Sequence, residues 1–445
     1  MKKIFGVIVL LFIGATGVLI FQNYPKLDLI SGFSAKSVAS AHFLDNRSLS
    51  VIEKTDNDIN LIDLAKNKIS DEGKFAEASV YGLKKRKAVY REGLGSVLVN
   101  DDYDPKKPYL VPKRNFILNT KIPFPYGNGE PLKPNFLNID YNRLNKAIFQ
   151  AFEPNKKGKR SSRAIIVVYK DHIIAEKYAP NFTKDSRLLG WSMTKSITGT
   201  FFGILQKQGK LNINQRAPIS EWKNDARKNI TIHNLLQMNS GLEWDENYDE
   251  ISDATKMLFQ ESDMTKSQIK KPLVNKPNTS WNYSSGTTNL LSGIIRNQFK
   301  THQEYLDFWY TALIDKIGMH SMVVETDLAG YYIGSSYAWA NARDWAKFGL
   351  LYLHKGNWNG EQLFDPSWSN YVATPTPTSK GEYGAQFWLN RSGILPDCPK
   401  NMYYADGFQG QRVFIIPSHD MVIVRLGYGH IDLNALVKEV LASVK

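Results

Sequence analysis

Two β-rich segment pairs bracket a long helical stretch, and that order limits the folds open to this chain. Ala164–Tyr169 and Ile173–Tyr178 are rich in β-branched and apolar residues and are separated by Lys170, Asp171 and His172, as in a hairpin. Gln411–Pro417 and Met421–Leu426 form a second such pair around Ser418, His419 and Asp420. Between the pairs lie about 230 residues of mostly helical texture. Asp140 is placed to cap a helix whose apolar positions Leu144, Ile148 and Phe152 recur at helical spacing; the basic loop Lys156–Arg163 ends it. Leu433–Val444 reads as a closing amphipathic helix. The order helix, hairpin, helical insert, hairpin, helix predicts an α+β fold. It has an antiparallel sheet flanked by terminal helices, with a mostly α-helical domain inserted at about residues 196–400.

At 445 residues the chain is long enough for more than one packed unit. Ile4–Phe21 is a nearly unbroken apolar run between Lys2, Lys3 and the polar stretch from Gln22. Residues 1–22 are therefore expected to be a signal segment or an uncleaved membrane anchor, since 18 residues lie at the border between the two and no A-x-A site closes the run. The leading lysines place the remainder outside the inner membrane: on the periplasmic side of a bacterial envelope if anchored, secreted if cleaved. Residues 23–135 are expected to form a loosely packed, mostly β or irregular lead-in with no assigned role, and 136–445 the catalytic body. The formal charge of +13 comes from Lys and Arg spread along the chain without any nucleic-acid module, so no nucleic-acid partner is expected. A basic exterior suits a neighbourhood of anionic lipid or cell-wall polymer. Cys398 is the only cysteine, which excludes an internal disulfide and a thiolate zinc site.

The chemistry centres on Gly190-Trp191-Ser192-Met193-Thr194-Lys195, at the start of a buried helix that runs to Gly209. Thr198, Gly199, Thr200 and Gly203 give this helix small faces for close packing. Ser192 and Lys195 stand three apart, so their side chains project to the same side. A hydroxyl is a weak nucleophile until its proton is taken, and a lysine takes it only when neutral. Lowering a lysine from about 10.4 to about 7 costs roughly 4–5 kcal/mol, which a tightly packed helix start can support. S-x-x-K alone also describes a capped helix with a surface lysine.

Two further segments lie about 90 and then about 125 residues downstream. Trp281-Asn-Tyr283-Ser284-Ser285-Gly286 is a polar turn whose Tyr283 can shuttle a proton between nucleophile and leaving group, or can be a half-buried loop aromatic. Ala405-Asp406-Gly407-Phe408-Gln409-Gly410-Gln411 leads into a strand. It is either a simple bulge or a site where the Phe408 N–H joins that of Ser192 as an oxyanion hole. Trp191, Ser285, Gly407, Gln409, Ser336 and Tyr337 are candidates for the substrate pocket. No G-x-S-x-G elbow or H-E-x-x-H helix occurs, and the eight histidines are scattered, so no metal and no cofactor are expected. His233, His430, Arg343 and Asp344 read as structural.

With these residues in place, the chain resembles the β-lactamase-related serine hydrolases over about residues 136–445: class C β-lactamases, DD-peptidases, family VIII esterases and, above all, the 6-aminohexanoate-dimer hydrolase-like branch. Beyond Ser192-Met-Thr-Lys195 the resemblance takes in Thr231–Leu242, Asn341–Tyr352, Tyr383–Trp388 and Gly407–Gln411. It implies a β-lactamase/DD-peptidase-like fold. It also implies an acyl-enzyme on Ser192, Lys195 as its base, Tyr283 as proton shuttle, and an oxyanion held by the N–H groups of Ser192 and Phe408. The chain departs from the family's β-lactam-processing members in two places. Ser285 stands where they carry the Asn of Tyr-x-Asn, and Ala405-Asp406-Gly407 stands where they carry Lys-Thr-Gly or His-Thr-Gly. Without the cation that grips a carboxylate, the expected reaction is hydrolysis of small esters or amides. The alternatives are a cell-wall DD-peptidase-like enzyme, favoured if a cation such as Arg412 points into the pocket, and an inactive surface binding protein. The oligomeric state is not specified.

Overall fold

Six strands form one antiparallel sheet. In sheet order they are Trp388–Leu389, Tyr403–Gly407, Gln411–Ile416, Met421–Gly427, Ser162–Tyr169 and His172–Tyr178. The two anticipated hairpins are therefore adjacent, joined through the pairing of Met421–Gly427 with Ser162–Tyr169. Lys170 and Asp171 both adopt left-handed backbone, as a tight hairpin turn requires. The computed structural model describes residues 2–115, 118–154 and 161–445, with side chains from Asn23 onward. The side chains of the apolar run Ile4–Phe21 and the basic positions 156–160 lie outside the described residues.

Both faces of this sheet are covered, which explains why its central strands read as continuous apolar runs rather than alternating ones. On one face Ile165, Val167, Phe414, Ile416 and Ile423 pack with the terminal helices Tyr141–Gln150 and Leu433–Leu441. Asp140 caps the first of these by accepting from Arg143 N at 3.0 Å. On the other face Ile166, Val168, Val413, Val422 and Val424 pack with the helices Met193–Lys207 and Ala342–Leu353. Close approach here needs small residues. A Cβ on Gly349 would lie 2.6 Å from Val422, and one on Gly203 would lie 2.7 Å from the Trp368 indole. Between the two hairpins the longer elements of this unit are helices, including Ser285–Arg296 and His302–Trp309, joined by irregular segments and short strand pairs.

The chain divides into two compact units. One comprises Met1–Arg91, Gly95–Lys106 and Glu246–Ser262; the other comprises Glu92–Leu94, Lys107–Asp245 and Asp263–Lys445. In the first, the helix Lys2–Asp45 covers a four-stranded antiparallel meander, Ala65–Ser70, Phe75–Val80, Leu83–Arg91 and Gly95–Val99. Ala76, Ala78, Val80 and Ala88 are buried on the strands, and Ala35, Val38 and Ala39 on the helix. These small side chains allow a tight helix-on-sheet layer rather than the loosely packed lead-in anticipated for residues 23–135. The helix Asp253–Gln260 belongs to this unit: Arg86 bridges Asp28 Oδ2 at 2.8 Å and the Phe259 carbonyl at 2.7 Å. Residues 107–135, by contrast, belong with Ser192 and Lys195 in the second unit.

Candidate active site

The turn that carries Ser192 is built from a short strand, one left-handed residue and a helix start. Leu188–Leu189 pairs with Ala338–Ala340, and Gly190 N donates to Ala338 O at 2.8 Å. Trp191 then adopts φ +48°, a conformation that costs a non-glycine residue about 1 kcal/mol or more, and this turns the chain into the helix Met193–Lys207. Ser192 sits at the cap position of that helix, yet its side chain makes no capping bond. Its half-buried Oγ is instead within reach of Lys195.

Lys195 is 1% exposed, and its Nζ lies 3.1 Å from Ser192 Oγ. Two further directions are taken by oxygens: Nζ donates to Ser285 Oγ at 2.9 Å and to the Ser335 carbonyl at 3.0 Å. A neutral amine has two N–H donors and one lone pair. In the neutral form, with the two donors directed to Ser285 and Ser335, the lone pair would face the Ser192 hydroxyl. Ser335 is held in place in turn, since its N–H donates to Asn289 Oδ1 at 3.1 Å and the neighbouring Gly334 O accepts from Thr198 Oγ1 at 2.8 Å.

Tyr283 presents its ring face to the same amine, with Nζ 4.8 Å from the ring centroid. The ring is clamped by Trp388 at 5.4 Å and by Tyr383, nearly perpendicular at 5.7 Å. Asn282 ties the turn down from the other side, N to Met238 O at 2.9 Å and Nδ2 to Trp244 O at 3.0 Å.

The third segment closes on the Ser192 turn. A Cβ on Gly407 would lie 2.1 Å from Gly190 O, so only glycine permits this approach. Phe408, 41% exposed, meets the Trp191 ring edge to face at 5.6 Å, and Tyr337 packs against Trp191 at 5.7 Å. Gln409 is left-handed at φ +60°. Asp406 pairs with Arg412 at 2.6 Å. Burial pushes the Asp406 carboxyl up to about 6, while Arg412 and Lys195 pull it down.

Ser192, Lys195 and Ser285 are thus joined by hydrogen bonds, Tyr283 by ring contact, and Trp191, Phe408 and Tyr337 by ring packing. Ser336 is buried and bonds Ser335 Oγ at 2.9 Å, which places it behind the Lys195 acceptor. Arg412 spends Nη1 on Asp406 and on the Gly407 and Gln411 carbonyls. Arg343 pairs with Glu176 at 2.8 Å, Asp344 accepts from Ser321, and His233 meets Tyr371 Oη at 3.0 Å, all structural contacts. Sequence reasoning missed the Ser335 carbonyl, since a backbone acceptor carries no residue signature. It also missed the clamp on Tyr283, although Tyr383–Trp388 stood out as a motif. Among the described residues no cluster of His, Cys, Asp or Glu converges as a metal site. Cys398 is no rival nucleophile, because burial pushes its thiol up to about 11.

A profile of the family described as Beta-lactamase matches residues 148–427, more than half of the chain. The chain belongs to the β-lactamase family. A 6-aminohexanoate-dimer hydrolase of Paenarthrobacter ureafaciens is 22% identical over 296 residues, 59% of this chain and 71% of that protein. In solved structures, a family VIII carboxylesterase superposes with a TM-score of 0.55 at 13% identity, covering 71% of this chain and all of the other. A class C β-lactamase superposes at 0.52 and 14%, covering 70% and 99%. These likenesses establish the β-lactamase/DD-peptidase-like fold for this β-lactamase-family chain, and the relatives that match it are hydrolases.

Proposed function

We propose that this protein is a serine hydrolase of small esters or amides that works through an acyl-enzyme on Ser192. The observation that carries the reading is the buried Lys195 amine, 3.1 Å from Ser192 Oγ with its donors committed elsewhere. Ser192 Oγ attacks the substrate carbonyl carbon while its proton passes to Lys195 Nζ, and the carbonyl π pair moves onto oxygen. The N–H groups of Ser192 and Phe408 hold that oxyanion. As the pair returns, the bond to the leaving oxygen or nitrogen breaks, and the leaving atom takes a proton from Tyr283 Oη, which Lys195 replenishes. Water then attacks the acyl ester, gives a proton to the same pair, and releases the acid with Ser192 reprotonated. The Tyr283 ring face meets the ammonium formed during each half-reaction.

The substrate class follows from what lines the strand beside the nucleophile. Ala405 is buried in the core, and the Arg412 charge is offset by Asp406 at 2.6 Å, which disfavours recognition of a substrate carboxylate. This supports uncharged esters or amides over β-lactams and peptide C-termini. The apolar run Ile4–Phe21 behind Lys2 and Lys3 is proposed as the export or anchor segment that places this chemistry in the cell envelope.

The test is covalent labelling of the purified protein by a fluorophosphonate, alongside Ser192→Ala and turnover of p-nitrophenyl esters. Labelling that disappears in Ser192→Ala is the expected result. A folded wild-type protein that neither labels nor turns over ester overturns the hydrolase reading in favour of a binding protein.

A further inference from the structure

The carbonyl oxygens of Gly407, Phe408, Gln409, Gly410 and Gln411 are all held by side chains. Arg412 Nη1 donates to Gly407 O at 3.1 Å and to Gln411 O at 2.8 Å. Gln411 Nε2 donates to Phe408 O at 3.1 Å, and Arg425 Nη1 to Gln409 O at 2.9 Å and Gly410 O at 3.0 Å. Arg425 is fully buried, so a guanidinium is committed to the interior next to this loop. Arg412 is aimed by Asp406, its partner across the pairing of Tyr403–Gly407 with Gln411–Ile416.

One of these bonds bears directly on chemistry. Gly407 O belongs to the peptide unit whose N–H is that of Phe408. A cation bound to an amide oxygen draws density from the nitrogen and makes its N–H a stronger donor. We propose that Arg412, aimed by Asp406, is a positioning residue for the oxyanion hole: it fixes and polarises the Gly407–Phe408 peptide, so that the Phe408 N–H binds the developing oxyanion more strongly. This rests on the reading of Phe408 as an oxyanion donor. It also gives Ala405-Asp406-Gly407 a purpose, because the strand without a substrate-gripping cation carries the acid that aims Arg412.

Arg412→Met and Arg412→Lys test this in the full chain, with Asp406→Asn as a variant that keeps the arginine and removes the charge aiming it. Two readouts are taken. With p-nitrophenyl ester, Arg412→Met is expected to lower kcat about 10-fold with KM changed less than about threefold, and Arg412→Lys to recover part of the loss. In protein labelled with ¹³C′-glycine and ¹⁵N-phenylalanine, only Gly32–Phe33 and Gly407–Phe408 give a correlated peptide signal. The second is assigned by its loss in Phe408→Leu. It should move upfield in both nuclei in Arg412→Met and move partly in Asp406→Asn. An unmoved signal, or wild-type kcat in folded Arg412→Met, overturns the proposal. If wild-type protein turns over no ester, the hydrolase reading fails, while the peptide signal still decides whether Arg412 polarises this bond.

Discussion

Lys195 Nζ donates to the Ser335 carbonyl at 3.0 Å, and this bond decides how the amine is oriented. A carbonyl only accepts, so one N–H must point to it. Ser285 Oγ takes a second direction, which leaves the third for Ser192 Oγ. The Lys195 amine is held at three points by groups from three separate segments of the chain.

Replacing the base separates charge from function. A guanidinium at position 195 keeps a positive charge but does not give up its proton near neutral pH. Lys195→Arg should therefore label with fluorophosphonate no faster than Lys195→Met, both slowed on the order of 10³-fold or more relative to wild type. Lys195→Met is the informative control, because it fills the buried space without charge. Labelling of this variant at near the wild-type rate would remove Lys195 from the mechanism.

In the proposed mechanism the phenol and the ring of Tyr283 have separable tasks. Tyr283→Phe retains the packing against Tyr383 and Trp388 and loses only the hydroxyl. A drop in kcat of about 10²-fold is expected, with the melting temperature held within about 2 °C. Tyr283→Ala removes the ring as well and should cost about 2 kcal/mol of stability. Full turnover by Tyr283→Phe would leave the tyrosine with a packing role alone.

Much of the sheet and the contact between Ser192 and Lys195 were legible because they rest on local rules. Asp140 as a cap, Gly209 as a left-handed helix stop at φ +67°, and the small faces of Gly199 and Gly203 all follow from residue chemistry near in sequence. The Ser192 and Lys195 pair was readable because one helical turn fixes it. What escaped depends on residues far apart in the chain. The Ser335 acceptor comes from 140 residues beyond Lys195. The packed layer formed by residues 23–106 depends on small alanines whose burial no local pattern announces, and its partner helix Asp253–Gln260 lies far downstream. Ser285 was noted as a departure from Asn and as a pocket candidate, whereas its hydroxyl is a direct partner of the Lys195 amine.

Gly407 tests whether the oxyanion segment must sit against the nucleophile turn. Any Cβ there would meet Gly190 O at 2.1 Å, a backbone atom that cannot swing aside as a side-chain tip would. Gly407→Ala must therefore push the two segments apart. A displacement of even 1 Å in oxyanion geometry is worth about 10²-fold in rate, and the overpacking itself about 1–3 kcal/mol of stability. Ester kinetics and urea denaturation together check both. A fully active Gly407→Ala would show that the Phe408 N–H is not part of the oxyanion hole.

Asp406 makes stability depend on pH in a direction opposite to that of most paired carboxylates. Burial raises its carboxyl from the ordinary value near 4 to about 6, and the pull of Arg412 and Lys195 does not fully offset it. The folded chain therefore holds this proton more tightly than the unfolded chain. Its contribution to stability is fully present below about pH 4 and is lost as pH rises through about 6. A gap of about two units corresponds to about 3 kcal/mol, and the partial exposure of the side chain lowers this to about 1–2 kcal/mol. Asp406→Asn removes the titration but keeps the shape. Urea denaturation at intervals from pH 4.5 to 7.5 should show wild type losing stability relative to Asp406→Asn, with the difference flat above about pH 7. A difference that instead grows in favour of wild type as pH rises would mean that the 2.6 Å pair with Arg412 outweighs burial. The carboxyl would then lie below its ordinary value, and its stabilising contribution would be lost on acidification.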